Sequence, residues 1–263
     1  MILGKLCILS AAICLTVSVA SAMPTTPTRL TFEVASIRSA QPSAGSIYTI
    51  KPLPGGNGYT VQNSPFKLMM SLMYKVPMRQ ILGGPEWINT DRFDIEARSD
   101  HPSSVDDLHV MFQNLLADRF NLRFHKEVKE GPVYGLKVDK LGLKMKADGT
   151  GQALGIPIVP SPGGGFTGIR VPMQYLSWWL GQQLQNDGRP VVDQTGLTQS
   201  YDFTLSFAPQ LPPNVSRDSL PPEMQNLPSI FEAVQQQLGL KLEPQRGPVE
   251  YYVIDDVEKP SAN

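Results

Sequence analysis

Cysteine is nearly absent from this sequence of 263 residues: there are 2, Cys7 and Cys14, both close to the N-terminus. The rest of the chain therefore has neither a disulfide nor a thiolate ligand, and its core must hold by packing alone. Histidine is scarce as well, represented only by His101, His109 and His125. No two of these share a helical face. No His-Glu-x-x-His, acidic calcium loop or cysteine pair accompanies them, so no metal site is expected. Blocks of Lys or Arg interleaved with aromatics are missing too, which argues against nucleic acid as a partner. There is no Gly-x-Ser-x-Gly turn, and the glycine-rich "SPGGGFTG" at 161–168 lacks the Gly-Lys-Ser/Thr ending that cradles phosphate. No catalytic residue and no cofactor is assigned.

What is present begins with "MILGKLCILSAAICLTVSVASAMP", which has Lys5, an apolar run and the small-residue pattern Ala20-Ser21-Ala22. This predicts a secretory signal at 1–22, cleaved near Ala22. The run covers about 15 residues, short of the roughly 20 a spanning helix needs, and no later segment is apolar enough to span. Ile13 before Cys14 is not the small residue a lipoprotein signal uses. An exported protein, periplasmic or extracellular, is expected. Loss of Lys5 takes the basic residues from 23 to 22 against 24 acidic ones, a mixed and nearly balanced charge.

Two stretches interrupt the pattern. "GTGQALGIPIVPSPGGG" at 149–165 is rich in glycine and proline and reads as a linker over 149–164. "APQLPPNVSRDSLPPEMQNLP" at 208–228 reads as a Pro-rich loop without helix or central strand. On either side of the linker the chain repeats itself. "NLRFHKEVKEGPVYGLKV" at 121–138 echoes "GLKLEPQRGPVEYYVI" at 239–254, and Gly58-Tyr59-Thr60 with Pro65 matches Gly165-Phe166-Thr167 with Pro172. Both echoed segments are expected to turn at Gly-Pro-Val as a terminal hairpin.

Each proline opens a helical pattern. Ser64 is expected to cap the first, Pro65 to take its first position, and Phe66, Met69, Met70, Met73 and Val76 to face inward. Tyr175, Leu176, Trp179, Leu180 and Leu184 form the matching stripe. Two later helices are marked by Ser104 with Asp106 and Asp107, burying Leu108, Met111, Phe112, Leu115 and Leu116, and by the Ser229/Glu232 capping box, burying Ile230, Phe231, Val234 and Leu238. Asn121 and Gly239 suit the positive φ that stops a helix. The fold class is α+β: two related units, 31–148 (repeat core 58–138) and 165–258, each a small mixed sheet with two helices on one face. Trp178, beside Trp179, needs cover that one helical stripe does not give, so the units are expected to touch.

Candidate binding residues are few. Trp87 follows the turn "GGPEW", Arg92 and Asp94 lie in "RFDIEAR", and Tyr134 lies in the first echo. Asp94 recurs as Asp202, and an acid kept within a strand pattern more often bonds a neighbouring turn than performs chemistry. Of Met69, Met70, Met73 and Met78, three fit a buried helical stripe, and core packing is the better reading than a thioether copper site. His109 and His125 are expected on solvent faces.

The segments "FEVASIR", "GGPEWINTDRFDIEA", "LLADRFNLRFHKE", "GRPVVDQTGLTQSYDFTL" and "LGLKLEPQRGPVEYYVIDDVEKPS" resemble, in order, the signatures of a large secreted family of soil bacteria defined as a domain of unknown function. The resemblance implies many paralogues per genome and an exported location. Some relatives carry the module behind a membrane-embedded sensor metallopeptidase, implying a sensing or partner-binding role, although this chain has no peptidase motif. The element order also resembles the short N-terminal interaction domain of secretins and TonB-dependent receptors. The expected function is non-catalytic binding of an unknown protein or small ligand in the cell envelope, with edge strands available to accept an added strand. The alternatives are a secreted hydrolase using Asp91 and Asp94 and a purely structural envelope protein.

Overall fold

The computed structural model describes residues 29–40, 48–148, 155–162, 164–184, 187–211 and 214–260. The expected signal at 1–22 and residues 149–154 of the expected linker lie outside them. The first half runs β1 (Val34–Ala40), β2 (Thr49–Pro52), β3 (Gly58–Pro65), α1 (Phe66–Met73), β4 (Ile81–Gly83), α2 (Trp87–Thr90), β5 (Arg92–Arg98), α3 (Val105–Arg119) and β6 (Arg123–Val138). The second runs β7 (Lys146–Asp148), β8 (Ile158–Pro160), β9 (Phe166–Pro172), α4 (Met173–Gln183), β10 (Val191–Asp193), β11 (Ser200–Leu205), α5 (Pro222–Gln225), α6 (Ile230–Ala233) with a π-turn over Val234–Leu238, and β12 (Leu240–Asp256). The architecture is α+β, with three four-stranded sheets and six α-helices among the described residues.

The outer sheets have the orders β1-β5-β3-β2 and β7-β11-β9-β8 and are wholly antiparallel. The central sheet, β10-β6-β12-β4, is the mixed one. This corrects the expectation of one mixed sheet per half. Parallel pairing arises because β4 joins the long strand of the second half and β10 joins that of the first. Part of the expected linker also packs, since β8 pairs with β9. The Pro-rich segment contains the short helix α5, which starts at Pro222, where a missing N–H costs nothing.

The expected hairpins are absent, and each echoed segment is one long strand. β6 and β12 pair antiparallel from Leu240↔Val138 to Asp256↔Arg123, and Gly131 lies opposite Gly247. Neither glycine has positive φ, so neither makes a turn. They make room instead: a Cβ on Gly131 would lie 3.0 Å from Val249 Cγ2, and one on Gly247 would lie 3.2 Å from Val133 Cγ2. The prolines fit by register. Asp139 donates across the ladder to the Gly239 carbonyl, while Tyr134 donates outward to Pro190. Even-numbered residues around this centre therefore point their amides out of the pair. Pro132, Pro244 and Pro248 all occupy such positions, where a lost N–H breaks no β6–β12 bond.

Two cores lie at the two ends of this ribbon, and each contains residues from the other half. Phe66, Met69, Met70 and Met73 of α1 pack with Leu108, Phe112 and Leu116 of α3, closed by Tyr252, Ile254 and Val257 from the chain's end. Leu176, Trp179 and Leu180 of α4 pack with Ile230, Val234 and Leu238, closed by Tyr134 and Leu136 of β6. Met78, by contrast, is exposed, as is Phe231, whose ring lies against Tyr134. Ser104 caps α3, the Ser229/Glu232 capping box starts α6, and Asn121 and Gly239 take positive φ where helices stop. At α1 the cap differs from expectation. Pro65 itself is the N-cap, and the Ser64 hydroxyl donates to the Gln62 carbonyl.

His109 is the other correction. It is buried, because its side of α3 meets Tyr59 of β3, whose hydroxyl shares a 3.3 Å hydrogen bond with His109 Nε2. Burial draws its pKa from 6.5 down to about 4, with nearby Lys75 acting in the same direction and Asp106 opposing. The unfolded chain takes up this proton near 6.5, whereas the folded chain holds it off to about 4. Acidification across that window therefore favours unfolding, by about 3 kcal/mol at most. Urea unfolding from pH 7 to pH 4 should show this loss in the wild type, and His109→Gln should reduce the slope.

Candidate functional site

The acid repeated in the two halves has a structural explanation. The β3–β5 register slips between Val61 and Ser64, and within that bulge Asn63 has φ 50°. Its amide donates to Asp94 Oδ1 at 2.8 Å. The β9–β11 register slips at the corresponding place, where Arg170 has φ 51° and its amide donates to Asp202 Oδ1 at 2.7 Å. A non-glycine residue in left-handed backbone is strained, and a carboxylate on its amide offsets part of that cost. Asp94 and Asp202 are thus bulge clamps.

The other sequence candidates are dispersed. Trp87 packs against the first core with its ring centroid 5.7 Å from Phe66 and 6.1 Å from Phe93, and Lys259 lies over its face. Arg92 lies on β5 beside β1, which pairs on one side only. The Tyr134 hydroxyl donates to Asp187 Oδ2 at 2.7 Å, and Arg189 stacks on the ring. These residues do not form one site. Asp91 is held by Lys259 Nζ at 2.7 Å, which keeps its carboxyl below the usual range. Asp94 lies in a shallow depression on the first sheet with Arg38, Gln62 and Glu96. Asp91 does not line that depression, so the two acids proposed for a hydrolase do not converge.

A deeper concavity lies where the halves meet. The segment after α1 (74–80), α4, β10 and the 248–252 stretch of β12 enclose a cleft of about 340 Å³, within the roughly 300–1,000 Å³ range of small-molecule sites. Ser177 and Trp178, adjacent on α4, both line it. Ser177 Oγ and Trp178 Nε1 are covered by protein, closed to solvent and to the cleft alike, and have no hydrogen-bond partner among the described residues. Such atoms are rare in folded proteins, because an unmet buried polar group costs about 1–3 kcal/mol. Gln80, also buried, lines the opposite wall. Tyr74 and Tyr252 supply aromatic surface with ring centroids 5.9 Å apart, and burial raises the Tyr74 hydroxyl to about 12.

The charges around the cleft are spoken for. Lys75 pairs with Asp106 at 2.6 Å, Glu250 with Lys126 at 3.0 Å, and Asp193 Oδ1 accepts from the Thr195 amide and hydroxyl. A second cavity of about 530 Å³ lies between α4 and the Pro-rich segment and is bordered by Phe166, Phe207, Met224 and Leu227. Of the cleft's residues, sequence reasoning singled out Trp178, as a side chain needing cover from the other half, and marked none of the others as part of a site. The signal was the neighbouring pair Trp178-Trp179, of which α4 turns only Trp179 fully into its own core.

The chain belongs to the family described as "Protein of unknown function (DUF3738)", which matches residues 67–257. That span starts inside α1 and reaches the end of the second long strand, so it takes in both sides of the cleft. No curated protein and no solved structure matches the chain.

The bulge clamps predict a stability effect without an effect on the cleft. Asp94→Ala and Asp202→Ala should each lower the urea unfolding free energy by about 1–2 kcal/mol, with the larger loss at the less exposed Asp202. Equal stability of both variants with the wild type would remove the clamp role.

Proposed function

We propose that the protein is an exported, non-catalytic binding protein whose ligand occupies the cleft between its halves. The observation carrying this reading is the cleft itself, a cavity of small-molecule size lined from both halves by residues that include Tyr74, Gln80, Trp178 and Tyr252. The separation of Asp91 from Asp94 weighs against the hydrolase alternative, and a purely structural role leaves the cleft without an explanation.

The proposal includes the origin of the scaffold as two related units. Supporting it are the parallel orders of the outer sheets, the prolines at the N-caps of α1 and α4, and the two carboxylate-clamped bulges. Two similar units joined by a shared sheet create a seam, and seams between packed units are favoured places for ligands. An envelope or sensing role agrees with the N-terminal signal read from the sequence. The likeness to secretin and receptor modules gains no support from a solved structure and carries no weight here.

A thermal-shift screen of small molecules tests the reading. A compound present at 100 times its Kd should raise Tm by roughly 5–10 °C. Gln174→Trp places a large side chain at an exposed cleft position on α4 and should abolish that shift while leaving the unliganded Tm within about 2 °C. Shifts that persist in Gln174→Trp, or a broad screen without any, would overturn the assignment of the cleft. Recovery of the chain from the cytoplasm with residues 1–22 still attached would overturn export.

A further inference from the structure

We infer that the cavity between α4 and the Pro-rich segment is a second binding site, and that it takes an organic cation with an apolar body, of the aryl-alkyl amine class. It shares no bordering residue with the cleft. The connection that builds it is far longer than its counterpart in the first half. Between β5 and α3 the chain uses residues 99–104, whereas between β11 and α6 it uses residues 206–229. Connections longer than about 12–15 residues are uncommon unless they serve function or stay unstructured. Over its described residues this one is held by hydrogen bonds. The Ala208 amide donates to the Pro228 carbonyl at 2.9 Å and closes its base, Gln225 Nε2 donates to the Leu220 carbonyl at 2.8 Å, and α5 stands within it.

The walls select the ligand's chemistry. Met224 of α5 borders the cavity with 38% of its surface exposed, and Leu227 borders it too. With them stand Phe166 and Phe207, both half-buried, their rings stacked with centroids 5.6 Å apart and Trp179 edge-on to each. Apolar surface left open in this way favours an apolar body, and aromatic faces also attract cations. Glu223, next to Met224 and exposed, is the one charged side chain among the described residues that border the cavity. An anion would meet that carboxylate without a counter-charge on the wall, whereas a cation would be paired. The field of this half acts in the same direction, because residues 151–263 hold 11 acidic side chains against 6 basic ones. A volume of about 530 Å³ admits a phenyl ring and a short alkyl chain, within the roughly 300–1,000 Å³ range of small-molecule sites.

The test compares phenylbutylamine, phenylbutanol and phenylbutyrate, which share one apolar body and carry a positive charge, no charge and a negative charge at neutral pH. Calorimetry on the purified protein should rank the amine first, about tenfold tighter than the alcohol, with the acid weakest. Glu223→Gln, at an exposed position, should lower amine affinity about fivefold and leave the alcohol unchanged. Met224→Ala, also exposed, should weaken amine and alcohol alike by about threefold. Gln174→Trp, in the cleft wall, should change none of these affinities. The inference is overturned if the amine does not bind up to about 10 mM, if the acid binds as tightly as the amine, or if Glu223→Gln leaves amine affinity intact. Loss of amine binding in Gln174→Trp would overturn it as well, by moving the ligand to the cleft, whereas failure of the cleft to bind any compound leaves this site standing.

Discussion

The pairing of β6 with β12 is the constraint on which the rest of the structure depends. These strands of 16 and 17 residues are the only elements long enough to reach from one core to the other among the described residues. Each leaves its own half to complete the other: Tyr252, Ile254 and Val257 enter the first core, and Tyr134 and Leu136 enter the second. Full burial of such side chains is worth roughly 1.5–3 kcal/mol each. Three of them are therefore comparable to the whole net stability of a domain, about 5–15 kcal/mol. Without disulfides in the described residues, this exchange of strands takes the place of a covalent link between the halves.

The cleft follows from the same geometry. β10 can reach β6, and the 74–80 segment can approach β12, only because the ribbon carries both halves past one another. Helix α4 then faces its own core with Leu176, Trp179 and Leu180, while Ser177 and Trp178 are left at the seam. Ligand binding at such a seam would bias the packing of the halves, because both walls belong to elements tied to the ribbon.

Much of the local structure was legible in the sequence. Helical stripes, the Ser104 cap, the Ser229/Glu232 capping box and the stops at Asn121 and Gly239 are local signals, and they appear in the fold, except that Phe231 of the last stripe is exposed. The role of Asp94 was legible for a similar reason, since its recurrence as Asp202 pointed to a turn and not to chemistry. What depended on distant pairing was not. Gly-Pro-Val reads locally as a turn, and only the facing register of Gly131 and Gly247 shows the glycines giving room to Val249 and Val133. His109 looks exposed on a helical wheel until Tyr59 covers it. The cleft was least legible of all, because its walls are separated by about a hundred residues.

The interlocked cores are tested most directly by separating the halves. A protease site inserted between residues 149 and 154 allows the chain to be cut after folding, and the two fragments to be parted in denaturant and refolded alone or together. Each fragment alone should show no cooperative unfolding transition, and mixing them should restore the near-ultraviolet circular dichroism and Tm of the cut chain. A fragment that folds alone with a cooperative transition near that Tm would contradict the dependence of each core on the other's strand.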